Sequence, residues 1–400
     1  MKKRTWLGRL QFGVLVAGAG LLAACSTGTA SSSGGGTNSG DTSSGTSSSA
    51  ASSPGVAQAT ATINKYLGNP AFTSPGPAID ASALKGKTIF SLPASSSVAF
   101  VNTVDQAMAG YAKDLGIKYV DYPNQQQQSQ WVQGLNQAIG SQVSAIDLVA
   151  GIPPDQLAPQ LKQAKTAGIP TIDTNERDAS QPTVPYVAAY AFAPFKLAGQ
   201  LMADWAVQQT QGKANILLVT SNADTSSAAV QAGATGELKS VCDSCALSTV
   251  NVNPTDWATK LQTTVEGSLS ANPDINYILP VFDSMAQFIA PAIVASGKSG
   301  QVHVASFNGT PAILDMIRTG NIVTMDVGEN TSDVAAAGLD QIMRIMLHKP
   351  AGQDVINVRI MDKSNVGEAG VPAVSGKGFG NAFITGYAKT WGVSPSTLGG

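Results

Sequence analysis

Apolar and polar positions alternate in two rhythms along most of the chain. Between residues 99 and 115, Phe100, Val101, Val104, Met108, Tyr111 and Leu115 recur at helical spacing, and Gly116 closes the run. The short flanking stretches 87–93 and 117–122 read as strands. A helix through Trp131, Leu135 and Ile139 follows, then a buried strand at 145–150, a helix at 157–167 closed by Gly168, and a strand at 169–173. The alternation then restarts. Helices are expected at 194–209, 226–240, 256–270, 284–296, 311–319 and 332–347. Strands fall between them at 215–220, 246–252, 275–280, 301–306 and 322–327, with strands near 354–361 ending the body. Regular strand–helix alternation predicts an α/β fold whose parallel sheets carry helices on both faces. Its restart predicts two doubly wound, Rossmann-like lobes. In such sheets ligands bind outside the carboxyl ends of the strands, so two facing lobes would enclose one ligand cleft.

The N-terminus breaks this pattern. Lys2, Lys3, Arg4 and Arg9 precede an apolar run from Leu10 to Leu22, too short for comfortable spanning of a bilayer but suited to a secretory signal. The run ends in Leu22-Ala23-Ala24-Cys25, which resembles a bacterial lipobox and implies cleavage before Cys25 and lipid attachment to its thiol. Ser, Gly, Thr and Ala then dominate to about residue 53, with Asp41 the only charge. Such a tract buries too little apolar surface to offset its ordering entropy. It reads as a flexible tether with a reach of roughly 30 Å. The expected layout is a signal peptide at 1–25, a tether at 26–58 and an N-terminal extension at 59–84. The body would stand in water outside the cytoplasmic membrane, held to the cell membrane by a lipid anchor alone.

Composition narrows the function. Charged residues are 12% of the chain and the net charge is −2, with no basic face of the kind nucleic acid requires. No second apolar run approaches membrane-spanning length. Cys242 and Cys245 are the remaining cysteines. Their spacing fits a zinc half-site, a redox pair or a short disulfide. Zinc needs two further ligands, and His303 and His348 are not paired at ligand spacing. Export favours the disulfide. Catalytic motifs fail: Ser82-Ala-Leu-Lys85 has no Lys-Thr-Gly partner, and Gly297-Lys298-Ser299 lacks the first glycine of a P-loop, Ala292 standing in its place. The expectation is a non-enzyme with no cofactor and no metal. The glutamine run Gln125–Gln128 reads as a solvated loop.

The body resembles the type I periplasmic binding proteins, in particular the ribose/galactose branch that serves ABC importers. The resemblance covers about residues 85–362. It is carried by Ala-Gly-Ile-Pro-Thr-Ile (167–172), Ser-Phe-Asn-Gly-Thr-Pro (306–311) and the element from Ile278 to Ala286 with Asp283-Ser-Met-Ala. It implies a first lobe at 85–188 plus 330–357 and a second at 189–329 plus 358–390, joined by a three-strand hinge with crossings near 188–192, 328–331 and 358–362. It also implies a ligand site built from loops after strands. Ser97 and Phe100 would contribute after the first strand, and Asn175, Glu176 and Arg177 where relatives carry an Asp-Arg pair. Trp257 matches a stacking aromatic, and Asp283 or Phe282 follows a second-lobe strand. Asn308 stands where relatives have Asp, and Glu329 where they often have Gln. A second-lobe arginine of typical sugar binders is replaced by small residues near Ala229. The implied pocket is therefore less charged and more aromatic than a typical sugar site. The implied function is a monomeric receptor that captures a small polar, sugar-like solute by lobe closure and delivers it to ABC permease subunits. The alternative is a sensor that presents its closed form to a membrane signalling protein.

Overall fold

A computed structural model describes residues 53–354 and 356–398. The signal peptide, Cys25 and most of the tether lie outside the described residues. The first described element is a helix, α1 (Pro54–Asn64), capped by Ser53 and burying Val56, Ala59 and Ile63. The tether therefore does not extend to residue 58: three apolar residues at helical spacing are enough to dock this segment against the body.

The first sheet holds β1 (Thr88–Pro93), β2 (Lys118–Asp121), β3 (Ala145–Val149), β4 (Thr171–Thr174) and β5 (Ala189–Ala191). Its order is β2-β1-β3-β4-β5, with every pair parallel. Helices α2 (Ala99–Asp114), α3 (Gln128–Gly140) and α4 (Ala158–Thr166) connect the first four strands. The amphipathic stripe of α2 buries Phe100, Val101, Val104, Met108 and Ala112. Gly116 and Gly168 adopt positive φ of 72° and 77° just past α2 and α4, where a Cβ would be strained. β5 was expected in the second lobe, yet it pairs with β4; three residues are too few to show a strand rhythm.

The second sheet is built from α5 (Phe195–Gln209), β6 (Asn215–Thr220), α6 (Thr225–Val241), β7 (Ala246–Asn251), α7 (Gln262–Ala271), β8 (Tyr277–Pro280), α8 (Asp283–Ala295), β9 (His303–Asn308), α9 (Pro311–Thr319) and β10 (Val323–Glu329). After α10 (Thr331–Met346), β11 (Val358–Asp362) completes it. The order is β11-β10-β9-β8-β6-β7, parallel except for β11 against β10. Helix α10 packs on α2, β4 and β5 of the first sheet, so the chain crosses between sheets after β5, after β10 and again before β11. Strand interiors such as Ile146, Leu148, Leu218 and Leu279 are sealed from solvent, as parallel sheets covered on both faces require.

The last helix, α11 (Ala382–Trp391), was expected with the second lobe but packs on α10. Trp391 is wholly buried and donates its indole N–H to Asp340 Oδ1 at 2.8 Å. Cys242 and Cys245 are disulfide-bonded with Cα atoms 5.4 Å apart, closing the turn between α6 and β7.

Candidate functional site

Each sheet reverses its winding direction once, between β1 and β3 in the first and between β6 and β8 in the second. Chains leave those strand pairs in opposite directions, which opens a crevice at their carboxyl ends. One cavity of about 550 Å³, part of it open to solvent, sits at both switch points. Ala94 and Ser95 follow β1, Ala150 and Gly151 follow β3, Asp224 and Ser226 follow β6, and Phe282 and Ser284 follow β8. Val98, Phe100, Gln126, Asn175, Phe195, Trp257 and Asn308 add to the wall.

Backbone strain concentrates here. Gln126, Ala150, Asn175 and Asn308 line the cavity and hold positive φ of 60°, 53°, 58° and 138°. Ala150 has no polar side chain to offset that conformation. Such strain costs about 1–3 kcal/mol per residue and persists where the surroundings over-determine it, commonly at ligand sites.

Four of the expected contacts reach the wall. Phe100 and Trp257 present rings; Trp257 is anchored by its indole N–H to Val252 O at 2.9 Å, with its ring centroid 6.4 Å from that of Phe282. Asn175 and Asn308 supply amides from the ends of β4 and β9. Five expected contacts are placed elsewhere. Ser97 is exposed, 2.9 Å from the Oγ of Ser95, which lines the cavity instead. Glu176 is buried and accepts the backbone N–H of Thr225 at 3.1 Å, so it caps α6 from the opposite sheet's loops. Arg177 is also buried, bound to Asp155 Oδ2 at 2.5 Å and to Pro182 O at 3.0 Å. Asp283 accepts Ser306 Oγ at 2.6 Å and both the N–H and Oγ of Thr310 at 2.7 Å, fixing the turn after β9. Glu329 lies behind the wall and accepts Asn175 Nδ2 at 3.1 Å.

Electrostatics follow burial. Desolvation pushes Glu329 up to about 8, against the lowering effect of hydrogen bonds from Asn175 and Asn308. Desolvation also holds Glu176 well above the usual range, with Asp173 and Asp224 adding repulsion. Asp224 is raised to about 6 by burial, offset in part by Ser221. No lysine, arginine or histidine is on the wall.

Asp224 lies in the polar loop Thr220–Thr225 that the family resemblance implied for the second-lobe side of the pocket, whereas Gln126, Phe195, Ser226 and Ser284 line the cavity without having been singled out as contacts. Gln126 belongs to the run read as a solvated loop; its left-handed backbone is what turns it toward the cleft. The signal that could have found Ser226 and Ser284 was position: each follows a strand at the switch point. Among the described residues no cluster of His, Cys, Asp and Glu could hold a metal ion, and no helix is long and apolar enough to cross a membrane.

A family model described as "Periplasmic binding protein domain" matches residues 88–350. The D-allose-binding periplasmic protein of Escherichia coli (strain K12) is 34% identical over 87 residues, 22% of this chain and 28% of that protein. The D-ribose/D-allose-binding protein of Pseudomonas aeruginosa is 26% identical over 191 residues, 45% of this chain and 57% of that protein. The matched stretches thus span well under two thirds of either relative. An ABC transporter solute-binding protein from Bacillus halodurans C-125, solved with bound myo-inositol, has the same fold, with a TM-score of 0.64 at 17% identity over 72% of this chain and 99% of that one.

Proposed function

Because the chain belongs to the periplasmic binding protein domain family, matched over residues 88–350, we propose that it is an extracytoplasmic receptor that captures a small hydroxylated solute and performs no chemistry on it. The observation that carries this reading is the cavity at both switch points, walled by loops from both sheets. Rings of Phe100, Phe195, Trp257 and Phe282 offer apolar faces, while Ser95, Gln126, Asn175, Ser226 and Ser284 offer hydrogen bonds. The crossings after β5, after β10 and before β11 form the hinge on which the lobes close over the solute. ABC permease subunits are the proposed recipients, and Cys25 the proposed site of a lipid anchor that keeps the receptor at the cell membrane. The relatives' names point to allose and ribose, and the structural neighbour to a cyclitol, as the chemical neighbourhood of the ligand.

A thermal-shift titration with aldoses, polyols and cyclitols tests capture. A ligand that binds only the folded state raises the melting temperature by mass action, by about 2.7 kcal/mol of stability at a hundredfold excess over Kd. At least one such solute should raise it in proportion to the logarithm of concentration. A flat response to all of them rejects the reading.

A further inference from the structure

The charge of the cleft is one-sided. Asn175 commits its Nδ2 to Glu329, so Oδ1 is the amide atom left for a ligand. Asn308 Oδ1 accepts the backbone N–H of Asp283 at 3.4 Å. Asp224 takes the hydroxyl of Ser221 on Oδ2 at 2.5 Å and keeps Oδ1 in hand. Ser95, Gln126, Ser226 and Ser284 can donate as well as accept, but among the described residues of the wall Asp224 is the one ionisable side chain, with no basic group beside it. Behind it stand two further buried acids, Glu176 and Glu329, each with one carboxyl oxygen lacking any partner in the protein.

We propose that the cleft selects a solute bearing an ammonium group beside its hydroxyls, an aminated sugar or cyclitol, with Asp224 as the counter-ion. This deepens the capture reading above and rests on it. Asp224 is only 7% exposed. A carboxylate that closed lobes remove further from water needs a paired charge, and no residue of the wall supplies one. An ammonium group supplies it and can donate three hydrogen bonds, to Asp224 and to acceptors beside it such as Asn175 Oδ1. The four rings favour the same ligand, because a cation is attracted to the face of an aromatic ring. A carboxylated or phosphorylated sugar would instead place a second negative charge against Asp224. A neutral sugar would leave that charge uncompensated.

The test is calorimetric titration of the full exported protein at pH 7.5 with matched sets: glucose, glucosamine and glucuronate; galactose, galactosamine and galacturonate; myo-inositol and its monoamine. At least one amine should bind about tenfold or more tighter than its neutral parent, a difference of about 1.4 kcal/mol, while the acids should not bind. Asp224→Asn should abolish the amine's advantage without lowering the melting temperature of the free protein. Neutral parents binding as tightly as their amines, or any acid binding, overturns the inference but leaves capture standing. An amine preference that survives in Asp224→Asn overturns the role of Asp224. Binding by none of the panel overturns the inference, and the separate aldose, polyol and cyclitol titration then decides capture. The wild-type comparison decides the question even if the variant fails to fold.

Discussion

At the scale of single residues, the most consequential group is one that does not touch the cleft. Glu329 ends β10 with no solvent exposure, and burial holds its proton to about pH 8. An acid whose folded value lies above its unfolded value near 4.5 binds its proton more tightly in the native state. Its contribution is complete below about pH 4.5 and is lost as pH rises through about 8. Glutamine keeps an oxygen for Asn175 and cannot ionise. Glu329→Gln should therefore match the wild type near pH 5 and exceed it by up to about 5 kcal/mol at pH 9, since each tenfold difference in proton affinity between the folded and unfolded chain corresponds to about 1.4 kcal/mol. Urea denaturation at the two pH values checks this, and parallel pH profiles for both proteins would refute it. Glu329 also shows what spacing along a sequence reveals and what it hides. Phe100, Asn175, Trp257 and Asn308, which the family resemblance implied as contacts, lie on the cavity wall at or just beyond the ends of strands. Glu176 and Arg177 do not, because the left-handed turn at Asn175 redirects the two residues behind it into α6 and Asp155.

At the scale of elements, the tightest contact in the second lobe is the crossing of α5 and α6. A Cβ on Gly199 would lie 2.0 Å from Val230 O, and one on Gly233 would lie 1.9 Å from Lys196 O. Each helix backbone thus fills the space where the other's side chain would be. Gly199→Ala or Gly233→Ala must push the helices apart and should cost about 1–3 kcal/mol or more. Gly236→Ala, on α6 where nothing lies within 4 Å, should instead stabilise by up to about 1 kcal/mol through helix propensity. Chemical denaturation of the three variants separates crowding from propensity, and equal effects at all three positions would refute the close crossing. The order of β and α elements could be read from the sequence because each helix has a buried stripe and each strand is bounded by turn residues. The crossing could not, since a glycine within a helix looks the same whether it is crowded or open. Helix α11 was missed for a different reason: its aromatics, Phe383, Tyr387 and Trp391, bury against partners from distant parts of the chain, including Phe72 and Tyr111.

At the scale of the whole molecule, segments outside the matched family region tie the two sheets together. Helix α1 packs on α5 and α6, while the chain that follows reaches Arg359 on β11, whose guanidinium binds Leu67 O, Asn69, Glu368 and Gly378 O. Arg344 on α10 binds Pro77 O at 3.0 Å further along the same extension. The densely packed body also keeps many acids out of water. Burial raises Asp224 and Asp333 to about 6 and Asp204 and Glu329 to about 8, with Glu237 adding repulsion at Asp204. Asp315 and Glu368 are lowered by Arg318 and Arg359, but both are largely open to solvent, where such pairs contribute little. The native state therefore holds protons that the unfolded chain has released, so its stability declines as pH climbs through the folded values from about 6 to about 8. The melting temperature of the free protein should fall steadily between pH 5 and pH 9. A ligand bearing an ammonium group should reduce that slope, because pairing with Asp224 makes its ionised form the stable one in the closed cleft. Scanning calorimetry across that range, with and without the amine, checks both statements, and a melting temperature that is flat or rises with pH would show that the buried acids are compensated by groups other than those named.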